Sequence, residues 1–255
     1  MTEASLRIEG SSSESFVEVD WLHQQPVYAA WSSDSGWTVA SSPRDLHRAG
    51  HPGGLEWARV LAQPLPSDWP LGFAAYERGV HVLASGQGYF LDRTGSVHPS
   101  GLLATRSDRS EPLTVATLDD RLRSSVRALK GRRVGLLLSG GLDSGLLAAL
   151  LADESVPYAA ACVADPENVR DVQHAVTLCA ELGVDLTVVE PSMEDYLAAL
   201  PVASSAFEDA RPDVFRAMGL IFGAHALKTH RCDVVIGGEP ADDVLGSSRV
   251  FFDAS

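Results

Sequence analysis

Along the chain, the apolar positions change period once, near residue 115. From Phe16 to Ser100, short apolar runs alternate with turn signals. Residues 26–31 (PVYAAW) and 37–41 (WTVAS) flank 32–36 (SSDSG). Two β-prone runs around a Gly-containing loop predict a hairpin. Residues 80–84, 88–92 and 93–95 repeat the pattern. Residues 55–61 read as one short helix. Residues 1–15 are polar and Ser-rich, so they are expected to fray. The tryptophans of this strand-rich half read as its core.

Beyond Thr117 the spacing becomes helical. Leu118, Leu122, Val126 and Leu129 mark one amphipathic helix. Residues 133–138 (RVGLLL) form a continuous apolar run, the mark of a parallel strand buried on both faces. A Gly-rich loop then leads into a helix through Leu142, Leu146, Leu147 and Leu150. Residues 158–163 predict a second strand. Val172, Ala175, Val176, Cys179 and Leu182 predict a helix that Gly183 stops. Residues 184–189 predict a third strand, and Ser192-x-x-Asp195 caps a short helix. A helix over about 214–228 and a fourth strand at 233–237 follow. Alternating strands and helices predict an α/β fold, a doubly wound parallel sheet with ligands at the strand C-termini. The expected division is a strand-rich domain over 1–115 and a parallel-sheet domain over 116–255. No internal repeat is visible.

Composition narrows the function classes. With 45% hydrophobic and 21% charged residues, the 255-residue chain can build a core and is not intrinsically disordered. Twenty Lys and Arg stand against 34 Asp and Glu, a formal charge of −14, which disfavours non-specific nucleic-acid binding. Cys162, Cys179 and Cys232 are too few and too widely spaced for a disulfide framework or a metal knuckle. Cys162 and Cys179 fall on apolar faces and read as core thiols. The eight His are scattered; His225 and His230 are five apart and read as surface or satisfied residues. The start of the chain shows no signal-peptide pattern, and no 18-residue apolar run exists. The expectation is a soluble cytoplasmic protein with no membrane segment.

The candidate chemistry lies in two loops. Residues 138–144 (LSGGLDS) leave a strand and open a helix. Gly140 and Gly141 permit positive φ, so backbone N–H groups can turn inward. Ser139 and Ser144 add hydroxyls, and the helix N-terminus adds its positive dipole end. Together they make a cradle for phosphate or pyrophosphate. Asp143 suits such a site when a Mg²⁺ bridges it to phosphate oxygens. The bland alternative is a Gly-rich turn with Asp as a helix cap. A Walker A loop is excluded, because no Gly-Lys-Ser/Thr follows. The second loop, 234–246 (VVIGGEPADDVLG), carries Glu239 and the pair Asp242-Asp243, which alone could be a solvated acidic turn.

The S-G-G-x-D-S at 139–144 resembles the pyrophosphate loop of the PP-loop ATP pyrophosphatase superfamily. The second loop is similar to the V-x-x-S-G-E-G-S-D-E-x-F-G segment of asparagine synthetases, a frame shared by β-lactam synthetases and lasso-peptide cyclases. The resemblance implies ATP and Mg²⁺ as cofactors and cleavage between the α and β phosphates. It implies that Asp143 and Asp242 hold one Mg²⁺ and that Glu239 sits beside the reacting groups. It implies that Leu138 and Val163 contact adenine, with the backbone of Gly237 and Gly238 completing the pocket. Residues 26–31, 37–46 and 86–95 look like parts of the family's glutaminase-type N-terminal domain.

Three departures shape the expected function. A glutaminase of this family uses an N-terminal Cys, whereas Thr2 follows Met1 and no Cys precedes Cys162. Pro240-Ala241 replace the family's Gly-Ser, removing an N–H and a hydroxyl. The family's later helical region, with a Lys that meets pyrophosphate, has no counterpart before Ser255. The expected function is therefore an ATP-dependent, AMP-forming ligase that joins a carboxylate to an amine without glutamine hydrolysis, in lasso- or β-lactam-like specialised metabolism. Self-association or a second subunit is expected to cover the strand ends. The alternative is an inactive relative that binds nucleotide or a partner. A tRNA-modifying enzyme is argued against by the acidic charge and by the lack of a Cys pair near the loop. Residues 211–216 lie where the family's substrate helix begins, so Arg216 either faces an acidic substrate or is a surface charge.

Overall fold

The structure is a computed structural model that describes residues 7–10, 14–19, 26–57, 77–102, 114–164, 168–207, 214–238 and 241. The chain divides into two compact units. One is Met1–Arg109 with Glu208–Arg211; the other is Ser110–Phe207 with Pro212–Ser255.

The first unit contains β1 (Arg7–Gly10), β2 (Glu14–Val19), β3 (Val27–Ser32), β4 (Gly36–Ala40), α1 (Pro43–Arg48), β5 (Val80–Leu83), β6 (Gln87–Asp92) and β7 (Val97–Leu102). They form two antiparallel sheets, ordered β1-β2-β6-β7 and β4-β3-β5. Alternate residues of each strand point one way. Val17, Val19, Tyr89 and Leu91 of the first sheet therefore meet Val27, Ala29 and Leu83 of the second in one core. The other face of β3 and β5 packs Ala30 and Val80 on Leu46 of α1. Ser42 caps α1 by accepting the Asp45 N–H at 3.1 Å, with Pro43 opening the helix.

The predicted 26–41 hairpin forms, with Trp31 opposite Trp37. The runs at 80–84 and 88–92 part company: β5 pairs with β3, and β6 with β2 and β7. Two expectations need correction. Residues within 1–15 do not simply fray, because β1 pairs with β2 from Arg7↔Glu18 to Gly10↔Ser15. Among the described residues, the tryptophans are not the buried centre of the core, although Trp37 packs against it. Trp31 and Trp37 are half-buried, Trp37 donating its indole N–H to the Asp92 carbonyl, and Trp57 is 60% exposed. Aliphatic residues and Tyr89 fill that role. Of the predicted 55–61 helix, Leu55 forms an isolated bridge with Glu77, Trp57 is helical, and residues 58–61 lie outside the described residues.

The second unit contains α2 (Val115–Arg127), β8 (Val134–Leu137), α3 (Leu142–Asp153), β9 (Tyr158–Val163), α4 (Val169–Leu182), β10 (Leu186–Val189), α5 (Met193–Phe207), α6 (Val214–Thr229) and β11 (Val234–Ile236). Its sheet is parallel throughout, ordered β10-β9-β8-β11. β8 is covered on both sides, which explains its unbroken apolar run. Val134 and Leu136 join Val126, Ala148, Leu151, Ala175 and Cys179 from α2, α3 and α4. On the opposite face, Gly135 meets Leu227 of α6, and Gly223 of α6 packs on Leu137.

Gly183 ends α4 in the left-handed region (φ 66°), as its sequence position predicts. The helix after Ser192 is longer than predicted, fifteen residues running through Pro201. Its start is the predicted reciprocal cap. The Ser192 N–H donates to Asp195 Oδ2 at 2.8 Å, and the Asp195 N–H donates to Ser192 Oγ at 3.2 Å. Among the described residues, no helix is long and apolar enough to cross a membrane.

Candidate functional site

Strand order places the site. β9 and β10 lie to one side of β8, and β11 lies to the other. The chain thus reverses direction across the sheet between β8 and β11, and ligands of open α/β sheets bind beyond the strand C-termini at such a switch point. The segments leaving these two strands are 138–141 and 237–238, the two loops singled out in the sequence.

Leu138 is buried (1% exposed) and continues the ladder, its N–H donating to the Ala161 carbonyl at 2.9 Å. The chain then turns through Gly140 at φ 81°. A Cβ there would lie 1.8 Å from the Asp171 carbonyl oxygen in the first turn of α4, so this residue must be glycine on both conformational and steric grounds. The two serines brace the turn. The Ser139 N–H donates to Ser144 Oγ at 3.1 Å, and the two hydroxyls are 3.0 Å apart. The Gly141 N–H donates to Ser139 Oγ at 3.3 Å, and the Ser144 hydroxyl donates to the Gly141 carbonyl at 3.4 Å. Ser144 is accordingly buried, with 3% exposed.

The amides of Gly140, Leu142 and Asp143 have no acceptor among the described residues. The cradle is thus narrower than the whole 139–144 stretch: three open N–H groups at the start of α3, where its dipole favours an anion. The Asp143 side chain is exposed and makes no hydrogen bond or ion pair among the described residues. That leaves a hard oxygen ligand free for a divalent cation. Leu142 is 87% exposed beside it, a large apolar side chain at the rim.

The second loop comes down on the first. A Cβ on Gly238 would lie 3.0 Å from Asp143 Cβ and 3.1 Å from the Ser144 N. Two segments nearly a hundred residues apart are therefore in van der Waals contact at the switch point. Gly237 packs less tightly, 3.7 Å from Leu137 Cβ by the same measure. Val163 ends β9 with its side chain toward Gly223. The structure brings Leu138, Ser139, Gly140, Gly141, Asp143, Ser144, Val163, Gly237 and Gly238 to one edge of one sheet. Glu239 and Asp242 lie outside the described residues. Among the described residues, no group of three or more His, Cys, Asp or Glu is placed to hold a metal.

One wall of the site is α6. Gly223 packs at the level of Leu137 and Leu227 at the level of Gly135, so α6 runs antiparallel to the strands. The nine residues before Gly223, about 13 Å of helix, run on past the level of Leu137 at the end of β8. Tyr196 of α5 meets Phe222 edge-on there, ring centroids 5.2 Å apart. Arg216 belongs to this overhang by its backbone. Cys162, under the site, is a buried thiol as expected. Its pKa is raised first by burial and then by the negative charge of Asp171.

Sequence reasoning missed Asn168 and Asp171. Asn168 is the N-cap of α4, and its Nδ2 donates to the Val163 carbonyl at 2.9 Å. An Asn just before a helical repeat is a visible cap signal. The sequence does not show that its side chain reaches a strand end instead of the helix.

A parallel sheet with an S-G-G-L-D-S loop at its switch point defines a PP-loop nucleotide-binding domain. The chain matches the asparagine synthase family over residues 117–255, more than half its length, and belongs to that family. No curated protein matches it. Among solved structures it is similar to an NH3-dependent NAD synthetase from Campylobacter jejuni subsp. jejuni, in complex with the nitrate ion. That match has 18% identity, covers 52% of this chain and 60% of that one, and has a TM-score of 0.36. It is also similar to an NMN synthetase from Francisella tularensis, with 18% identity, 51% and 56% coverage and a TM-score of 0.38. The chain spans less than two thirds of each of these structures.

Proposed function

We propose that this protein is an ATP-dependent ligase that activates a substrate carboxylate as its acyl-adenylate and joins it to an amine. The observation that carries the reading is the contact of Gly238 with the first turn of α3, beside three open amides. That contact supports reading the pyrophosphate cradle and the loop that bears Glu239 and Asp242 in sequence as parts of one site. The family membership supports ATP as the nucleotide.

In this reading the β and γ phosphates lie on the amides of Gly140, Leu142 and Asp143. A carboxylate oxygen attacks the α phosphorus, the bond to the β-phosphate oxygen breaks, and pyrophosphate leaves. Hydrogen bonds from fixed amides stabilise the charge that grows on that leaving group. The substrate amine then attacks the acyl carbon, AMP leaves, and Glu239 takes the amine proton or positions the amine. Asp143 and Asp242 would hold a Mg²⁺, which would neutralise charge on the pyrophosphate. Leu138 and Val163 bound the adenine pocket, completed by Gly237 and Gly238.

Within this chain no Cys precedes Cys162, which favours an amine carried by the substrate over ammonia released from glutamine. In this reading the reaction belongs to lasso- or β-lactam-like specialised metabolism, and the first unit is a glutaminase-type domain that takes no part in the chemistry. Acyl-adenylates hydrolyse when water is admitted. A second subunit or a second copy covering the strand ends, and the exposed Leu142 beside them, completes the proposal.

The test is ATP–pyrophosphate exchange with amino-acid and peptide carboxylates, measured on the protein alone and with products of neighbouring genes. Acid-dependent exchange supports the ligase. Tight MgATP binding with no exchange under any condition would replace it with a nucleotide-binding subunit.

A further inference from the structure

The peptide unit between Val163 and Ala164 ends β9 at the candidate site, and both of its polar groups are held. The Ala164 N–H donates to the Val189 carbonyl of β10 at 2.8 Å. The Val163 carbonyl accepts from Asn168 Nδ2 at 2.9 Å. The first bond extends the sheet ladder; the second is made by a side chain from the next element. An Asn at a helix N-cap ordinarily accepts a hydrogen bond from the helix backbone. Asn168 makes no such cap bond and spends its amide on the strand end instead.

Three residues further on, the same helical turn touches the other half of the site. The Asp171 carbonyl oxygen occupies the space into which a Gly140 Cβ would project. The first turn of α4 thus holds the end of β9 through a side chain and the phosphate loop through its backbone. A helical turn is rigid, so it fixes the spacing between these two points.

We infer that Asn168 is a positioning residue for the nucleotide base: by fixing the Val163–Ala164 peptide, it sets the base-binding edge at the distance from the phosphate cradle that an adenine nucleotide needs. The inference rests on the ATP reading above and deepens it, because it assigns base affinity and phosphate affinity to different residues.

Asn168→Asp separates the two. The side chain keeps its size and loses its donor, and the carboxylate faces the Val163 carbonyl. Asp remains a good N-cap and suits the helix dipole, so the fold is retained. Calorimetry on the full chain should show MgATP affinity falling about three- to tenfold, the worth of one hydrogen bond. The affinity for inorganic pyrophosphate should stay unchanged, the thermal unfolding midpoint should fall by no more than a few degrees, and the preference for ATP over GTP should narrow. Equal losses for ATP and pyrophosphate, or no loss for either, would overturn the inference. Wild-type protein that binds MgATP beside an unaffected Asn168→Asp variant removes this inference alone. Wild-type protein that does not bind MgATP removes the ATP reading, and this inference with it.

Discussion

Gly140→Ala is the sharpest test of the geometry. Gly140 sits at φ 81°, and an added Cβ would meet the Asp171 carbonyl oxygen at 1.8 Å. The left-handed conformation costs an Ala about 1–2 kcal/mol. Relieving the contact needs more than about 1 Å of movement between loop and helix, an overpacking cost of about 1–3 kcal/mol in a close-packed interior. The combined loss, about 2–5 kcal/mol, should lower the unfolding midpoint by roughly 10 °C for a unit of this size. Gly183→Ala is the control. Gly183 has φ 66° with nothing within 4 Å of the added Cβ, so only the conformational cost applies, about 1 kcal/mol and a few degrees. The displaced loop must also lose its ligand. A reacting group misplaced by about 1 Å costs roughly a hundredfold in rate, and MgATP affinity should fall at least tenfold. Differential scanning calorimetry and isothermal titration on both variants decide the matter. If Gly140→Ala unfolds with Gly183→Ala and binds MgATP like wild type, the close approach of loop and helix is wrong.

Asp143→Asn and Asp242→Asn should each abolish Mg²⁺-dependent ATP binding in a calorimetric titration, because the amide lacks the charge that a hard cation requires. Asp143 is exposed, so its variant should unfold at the wild-type temperature. Glu154 joins α2 to α3 by a two-point pairing with Arg127, at 2.7 and 2.8 Å, which together with Arg123 holds its pKa below the usual 4.5. A carboxylate with a lowered folded pKa contributes stability above its unfolded pKa and loses it as pH falls through the folded value. Glu154→Gln should therefore be less stable than wild type at neutral pH and equal to it in strong acid, by thermal melts across pH. Incubation with glutamine, with and without MgATP, should release only background glutamate; turnover abolished by Thr2→Ala would make the Thr2 hydroxyl a nucleophile and refute this expectation.

The sequence by itself determined the order of the elements of the second unit and the place of its Gly-rich loop between β8 and α3. Leu118, Leu122 and Val126 keep the spacing of a helix with one buried face, and residues 133–138 have the unbroken apolarity of a strand covered twice. Gly183 marked a helix end where it stands. Those signals are local, because periodicity records which side of an element is buried. It does not record what buries it. Tertiary structure alone decided that β11 lies against β8, so that Gly238 rests on Asp143 across nearly a hundred residues of chain. It alone decided that Gly140 is pressed on Asp171 and that Asn168 serves β9 rather than its own helix. It also overrode local signals where packing outweighed them. The polar start of the chain pairs as β1, and α5 runs on through Pro201. Among the described residues, aliphatic side chains with Tyr89 form the buried centre of the first unit's core, and Trp37 only packs against it. A site built from contacts between distant segments depends on the order of strands, and strand order depends on the free energy of the whole sheet, not on any short window of sequence.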